Sequence, residues 1–210
     1  MSATSIPHDV VELLQSMVQI PSVNPAACDD PLSERRLLEH NQAVAKAMGF
    51  KTKHLPVKDR AGNLLITHRV NASDDWLMFQ SHMDTVTEKG MTVDPFDGEV
   101  REGKLYGRGS CDTKGTGAAM LWALHQYAKS NSQPNNIAIL FGMDEEYGMT
   151  GIRHFVKDHL PTLGMNLCGV IVGEPTLCRP IYTHNGCMRV TIQTRGKAAH
   201  SSTPNLGHSA

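Results

Sequence analysis

The stretch Trp76-Leu77-Met78-Phe79-Gln80-Ser81-His82-Met83-Asp84-Thr85 joins a short apolar run to a polar His-x-Asp pair. The apolar run reads as a buried strand, and the polar pair falls where that strand ends. In an extended chain, residues two apart point to the same face, so the His82 imidazole and the Asp84 carboxylate can serve one site. A carboxylate against the second ring nitrogen of a metal-binding histidine fixes its tautomer and orientation. Taken alone, the pair is weak evidence and reads first as a polar strand end.

Three more acidic clusters follow in the same setting. Asp112 lies past Lys104-Leu105-Tyr106 and a Gly-rich turn, Glu145 and Glu146 lie past Ile137-Ala138-Ile139-Leu140-Phe141, and Glu174 lies past Val170-Ile171-Val172. In an open α/β sheet the carboxyl ends of the strands border a shared crevice, so four polar clusters at strand ends converge. One histidine and several carboxylates, with no cysteine among them, suit Zn, Mn or Co in an open hydrolytic site rather than a Cys-rich structural knot.

Around these strands the periodicity predicts helices over 9–19 (Val10, Leu14, Met17 and Val18 inward), from 33 or 34 to 48, over 113–129 and over 150–159. Strands are expected over 51–55, 63–68, 76–80, 137–141 and 169–172, with a hairpin turn at Glu102-Gly103. Helices alternating with strands give an α/β sandwich with a mostly parallel central sheet. His125 shares a helical face with Ala118, Leu121 and Trp122 and reads as a core histidine. The strict alternation of 188–194 predicts a half-exposed strand of a separate small sheet, which places the division between a catalytic domain, 1–180, and a second domain, 181–210, near residues 178–184.

The 210 residues are 40% hydrophobic, enough to bury a core, and the net charge of −1 carries no footprint for nucleic acid. No run approaches the length of a membrane span, and the start at Met1-Ser2-Ala3-Thr4 lacks a secretory signal pattern, which points to the cytoplasm. Five cysteines at irregular spacing (Cys28, Cys111, Cys168, Cys178, Cys187) indicate buried thiols rather than a disulfide framework. The loop Gly107-Arg108-Gly109-Ser110-Cys111-Asp112-Thr113-Lys114-Gly115-Thr116-Gly117 departs from both phosphate-binding patterns, and a carboxylate at Asp112 would repel phosphate.

Together, Ser81-His82-Met83-Asp84-Thr85, Tyr106-Gly107-Arg108-Gly109 with Asp112 and Lys114-Gly115, Asp144-Glu145-Glu146, Gly173-Glu174-Pro175-Thr176, and Gly196 with His200-Ser201-Ser202 and Pro204 resemble a dinuclear zinc amidohydrolase and peptidase family. It includes acetylornithine deacetylase, succinyl-diaminopimelate desuccinylase, aminoacylase and glutamate carboxypeptidase. The resemblance implies a zinc-peptidase-like sandwich followed by the beginning of a small α+β lid and dimerisation domain. It implies two Zn2+ ions, with Co2+ as a substitute. His82 and Glu174 would hold one ion, Glu146 would help to hold the other, and Asp112 would bridge them. Asp84 would orient His82, and Glu145 would be the general base that takes the proton from a metal-activated water. His200 would stabilise the tetrahedral oxyanion, reaching a partner's site in dimeric members; its alternative is a surface histidine capping a helix through Ser201 and Ser202.

Within the family, Gly-Glu-Pro-Thr followed by His184-x-Gly186 and the His-Ser-Ser-x-Pro run looks most like acetylornithine deacetylase, although Asn185 stands where a lysine is usual. The implied substrate is a small N-acyl amino acid or short peptide, with desuccinylase or carboxypeptidase chemistry as alternatives. A non-catalytic metal- or partner-binding relative is the competing class, and the intact Glu145 argues against it. Family members are longer and supply a further zinc-binding histidine near the carboxyl terminus. No motif here fills that role, and His208 is too close to the lid segment, so the expectation is a truncated catalytic domain.

Overall fold

The computed structural model describes residues 5–186, 188 and 190–210. The chain divides into two compact units, Met1–Pro175 and Thr176–Ala210. The first unit opens with α1 (Val10–Val18), where Asp9 accepts from the Glu12 N–H as N-cap. α1 buries Leu13, Met17 and Val18, so its inward face is turned slightly from the expected one: Leu13 replaces Leu14 at the centre. Next come α2 (Ser33–Ala47), β1 (Lys51–Leu55), β2 (Asn63–His68), β3 (Asp75–His82) and the small hairpin β4 (Val100–Arg101) and β5 (Lys104–Leu105). The hairpin turn expected at Glu102-Gly103 is there, and both of its residues have positive φ. The unit continues through α3 (Lys114–Tyr127), β6 (Asn136–Gly142), α4 (Thr150–His154) with a π-helical turn and a 3-10 turn behind it, and β7 (Asn166–Val172).

The sheet order is β1-β2-β6-β3-β7. β6 lies parallel to β3, β3 parallel to β7, and β2 antiparallel to both of its neighbours, so four of the five strands run one way. β6 is buried along its whole length, which is why its sequence is a continuous apolar run rather than an alternating one. One face of the sheet (Leu64, Ile66, Ile139, Phe141) packs on α1, α2 and α3, and the other (Leu65, Trp76, Met78, Ala138, Leu140) packs on Phe155 and its neighbours. Each fully buried side chain such as Phe141 contributes about 1.5–3 kcal/mol. His125 is buried in α3, as its helical face predicted. α3 comes unusually close to β6: a Cβ on Gly117 would sit 2.6 Å from Phe141 Cε1. β7 forms the edge of the sheet, with Val170, Ile171 and Val172 exposed.

Two expectations are corrected. The described residues of 188–194 form no strand, because an alternating segment becomes a strand only where a neighbour accepts its main-chain hydrogen bonds. Arg189, within that stretch, lies outside the described residues. The second unit is instead pinned by a two-way bridge between Lys197 and His208 and a 3-10 turn at Pro204–Leu206. The described cysteines are not buried thiols: Cys28 is half-buried, and Cys111, Cys168 and Cys178 are exposed, because they fall in loops and on the edge strand. Cys187 lies outside the described residues.

Candidate metal centre

Three strand ends build the site. Parallel pairing sets His82 opposite Gly142, and Met83 N–H donates to the Gly142 carbonyl at 2.8 Å, so the chain leaves β3 and β6 side by side. On the other flank Gln80 pairs with Val172, and Gly173 N–H donates to the Gln80 carbonyl at 2.8 Å, which delivers Glu174 beside His82. Asp112 arrives by a different route. The Thr113 hydroxyl donates to the His82 carbonyl at 3.1 Å and accepts from the His82 N–H at 3.2 Å, while Ser81 Oγ donates to the Thr113 carbonyl at 3.0 Å. The start of α3 is thereby stitched to the end of β3. Lys114, buried beneath, donates to the Ile20 carbonyl at 2.8 Å, and burial lowers its amine to about 7.

The His82 ring is almost wholly buried, and its two nitrogens face different partners. Nδ1 lies 2.8 Å from the Asp84 main-chain oxygen, with the Asp84 carboxylate at 3.4 Å. A carbonyl oxygen can only accept, so Nδ1 keeps its hydrogen, and it is the Nε2 proton that the ring gives up to leave a lone pair for a cation. Nε2 lies 3.2 Å from Asp112, 3.9 Å from Glu145 and 3.9 Å from Glu174.

The Asp84 carboxylate does more than face the imidazole. Buried completely, it accepts from Glu145 N–H at 2.9 Å, Glu146 N–H at 3.0 Å and Asn24 Nδ2 at 2.7 Å. One anion therefore holds the main chain of the neighbouring glutamates and flanks the histidine they approach. Asn24 Nδ2 also donates to Asp144 Oδ1 at 2.9 Å, and Thr150 Oγ1 closes on the other Asp144 oxygen. The Asp144 N–H donates to Glu34 Oε1 at 2.7 Å. Asn24 is itself fastened, since Val23 bridges Thr85 and the Ser22 hydroxyl donates to the Met83 carbonyl.

The charges strain against one another. Burial pushes the Glu174 carboxyl up, His82 opposes the shift and Asp112, Glu145 and Glu146 add to it, so that it reaches about 7. Glu146 is raised by burial and by Asp112. Burial opposes a charge on His82, yet the contact with Asp84 and the charges of Asp84, Glu145 and Glu174 outweigh it and raise the imidazole to about 9. Burial would raise Asp84, but its contacts with His82, Asn24 and the Glu145 N–H hold it below the usual carboxylate range. Four carboxylates around one imidazole repel each other, and a divalent cation among them relieves that repulsion.

The donor set fits such a cation. One ligand atom each from His82, Asp112 and Glu174 lies within 4.8 Å of the other two. Imidazole nitrogen and carboxylate oxygen are the donors of an open zinc or cobalt site. Glu145 and Glu146 stand on the same rim, held by Asp84. His200 belongs to the second unit, where its Nδ1 lies 2.8 Å from Ser202 Oγ and 3.2 Å from Ser202 N. Asn24 and Glu34 were not singled out from sequence as site residues, and Asp144 entered only as part of the Asp144-Glu145-Glu146 motif, with no role of its own. Asn24 lies in Pro21-Ser22-Val23-Asn24-Pro25, which reads only as a helix breaker, and Glu34 falls at a helix start, where acidic residues are commonplace.

The chain is similar to known proteins in both sequence and fold. The chain is 30% identical to acetylornithine deacetylase of Proteus mirabilis over 95% of its length, and 30% identical to succinyl-diaminopimelate desuccinylase of Rhodospirillum centenum over 94%. It spans 51% and 52% of those relatives, about half of each. Its fold matches an M20 family metallo-carboxypeptidase of Sulfolobus solfataricus with a TM-score of 0.69 at 18% identity, covering 80% of this chain and 37% of that one. Human carnosine dipeptidase 1 follows with a TM-score of 0.66 at 20% identity, covering 78% and 37%. Residues 78–206 match the peptidase family M20/M25/M40 and take in His82, Asp84, Asp112, Glu145, Glu146 and Glu174, so the chain belongs to that family.

Proposed function

We propose that the protein is a metal-dependent hydrolase that cleaves the amide bond of a small N-acyl amino acid, N-acetylornithine first among candidates. The observation that carries this reading is a buried histidine whose free nitrogen faces Asp112, Glu145 and Glu174, with Glu145 on a main chain clamped by Asp84. His82, Asp112 and Glu174 would hold one divalent ion, zinc or cobalt, and Glu146 would hold a second with Asp112 between them. Such an ion, when bound, supplies Lewis acidity that makes water a better acid and the substrate carbonyl a better electrophile.

The protein's own groups supply the rest. Glu145, partly exposed beside the ligands, accepts a proton from water and returns it to the leaving amine. Asp84 keeps the hydrogen of neutral His82 on Nδ1, so that Nε2 is the nitrogen that gives up its proton to a metal, and holds Glu145 and Glu146 in register by their N–H groups. The assignment of His200 to the oxyanion, the second unit as the start of a lid, a homodimer and a cytoplasmic setting rest on motif and resemblance alone. No helix among the described residues is long and apolar enough to cross a membrane.

Equal identity to a desuccinylase favours N-succinyl-diaminopimelate as the second candidate substrate. The test is zinc- or cobalt-dependent hydrolysis of N-acetylornithine, N-succinyl-diaminopimelate and a glutamyl dipeptide, each with a chelator control. Turnover of the first that chelation abolishes supports the reading, and preference for either of the others moves the substrate within the family. Metal binding without turnover of any of them would sink the hydrolase.

A further inference from the structure

At the end of the sheet away from His82, the face covered elsewhere by Phe155 and its neighbours is open. A cavity of about 220 Å3 lies there, floored by Leu65, Trp76, Leu163 and Met165 and rimmed by Lys51, Lys53, Thr67 and Arg69. The register explains why charge collects at an apolar floor. Lys51 pairs with Thr67 and Lys53 with Leu65, and directly paired residues share a face, so both lysines stand on the same side as Leu65.

Three observations make this more than a basic patch. Trp76 is 4% exposed, and its indole Nε1–H is buried without an acceptor. A buried donor without a partner is costly; an oxygen from outside the chain reaches this one only once the packing over it shifts, and the cost of leaving it unpaired favours that shift. The ring is held in position, because the Arg69 guanidinium lies 5.0 Å from its centroid and is itself tied to the Ser73 carbonyl and to Asp74. Arg69 is therefore committed, whereas among the described residues no carboxylate pairs with Lys51 or Lys53. Lysines on an edge strand discourage strand pairing, which accounts for the charge but not for the tryptophan-floored cavity or for the indole without an acceptor.

We propose that this cavity binds a small organic anion with an apolar body, its charge facing Lys51 and Lys53, its body on Leu65 and Leu163, and one of its oxygens accepting from the Trp76 indole. The volume is below that of most drug-sized sites and suits a ring or branched chain bearing one carboxylate or phosphate. The site lies at the other end of the sheet from the metal centre, so it stands or falls independently of the hydrolytic reading.

The test is two-dimensional NMR of the 15N-labelled chain, whose two tryptophans give two indole cross-peaks, with Trp122→Phe to assign them. The probe is phenyl phosphate; inorganic phosphate and benzyl alcohol are the comparators, each lacking one half of the ligand. The expected result is a saturable downfield movement of the Trp76 indole proton with phenyl phosphate. Binding should be about tenfold weaker in a Lys51→Ala/Lys53→Ala double variant, the size expected for two partly exposed charge contacts. Both lysines are exposed, and the remaining cross-peaks report that the variant is folded. An indole proton that phenyl phosphate leaves unmoved, binding unchanged in the double variant, or either comparator binding as tightly as phenyl phosphate would each overturn the proposal.

Discussion

Asn24 donates to Asp84 at 2.7 Å and, from the same nitrogen, to Asp144 at 2.9 Å, so one neutral amide lies between two buried carboxylates. Without it the two anions would face each other with no donor between. Hydrogen bonds to charged groups contribute about 1.5–3 kcal/mol, and an orphaned buried charge loses more than the bond. Asn24→Ala is therefore expected to lower unfolding stability in urea by roughly 2–4 kcal/mol. Asn24→Asp, which adds a third carboxylate, should be worse still. An Asn24→Ala variant as stable as the parent would show that water replaces the amide.

Glu145→Gln keeps the main-chain bond to Asp84 and removes only the base. Turnover of the best substrate should fall by about 100-fold or more, the usual loss for a general base. Cobalt or zinc uptake measured by calorimetry should stay near parental. Loss of metal together with activity would make Glu145 a ligand rather than a base.

Metal uptake should depend on pH in a direction set by His82 and Glu174. Ligation needs both deprotonated, and in the metal-free chain they hold their protons up to about 9 and about 7. Cobalt affinity is thus expected to rise by at least about tenfold from pH 6 to pH 8, with protons released on binding. Calorimetry in two buffers of different ionisation enthalpy measures both quantities, and a flat profile would remove His82 from the ligand set.

Glu34 gives a second pH signature, away from the ligands. Burial, then the charge of Asp84, raises its carboxyl from 4.5 to about 7, against the pull of the Asp144 N–H. A folded-state value above the unfolded one means that stability is fully present below about 4.5 and is lost as pH rises through about 7. Glu34→Gln copies the protonated form, so it should match the parent at pH 4.5 and exceed it by roughly 2–3 kcal/mol at pH 8. Thermal melts at the two pH values measure the difference, and equal behaviour at both would show that Glu34 is not the group responsible.

The strands were legible as apolar runs, and the candidate ligands His82 and Glu174 stood out because each follows one. β6 announces itself as seven buried residues, and His82 and Glu174 come together through strand order, whereas Asp112 is brought to them by the hydrogen bonds of Thr113 and Ser81. What supports them was not legible. Asn24, Asp144 and Glu34 are polar residues whose burial results from three distant segments meeting, and no local periodicity records such a meeting. The 188–194 segment erred the other way: alternation marks a chain able to be a strand, but only a neighbour makes it one. The exposed cysteines show the same limit, since a residue type's average burial says little about a loop.

β7 pairs with β3 from Asp75↔Asn166 to Gln80↔Val172, in parallel, across most of the first unit's sequence. A parallel contact over such a separation closes slowly. Until it closes, the β7 main chain is unpaired on both sides, and Val170, Ile171 and Val172, exposed even afterwards, lie on a strand that can join another molecule as readily as its own sheet, so recovery from denaturant becomes a race between an intramolecular and a bimolecular step. Dilution slows only the second, and renaturation yield should climb as the protein is thinned.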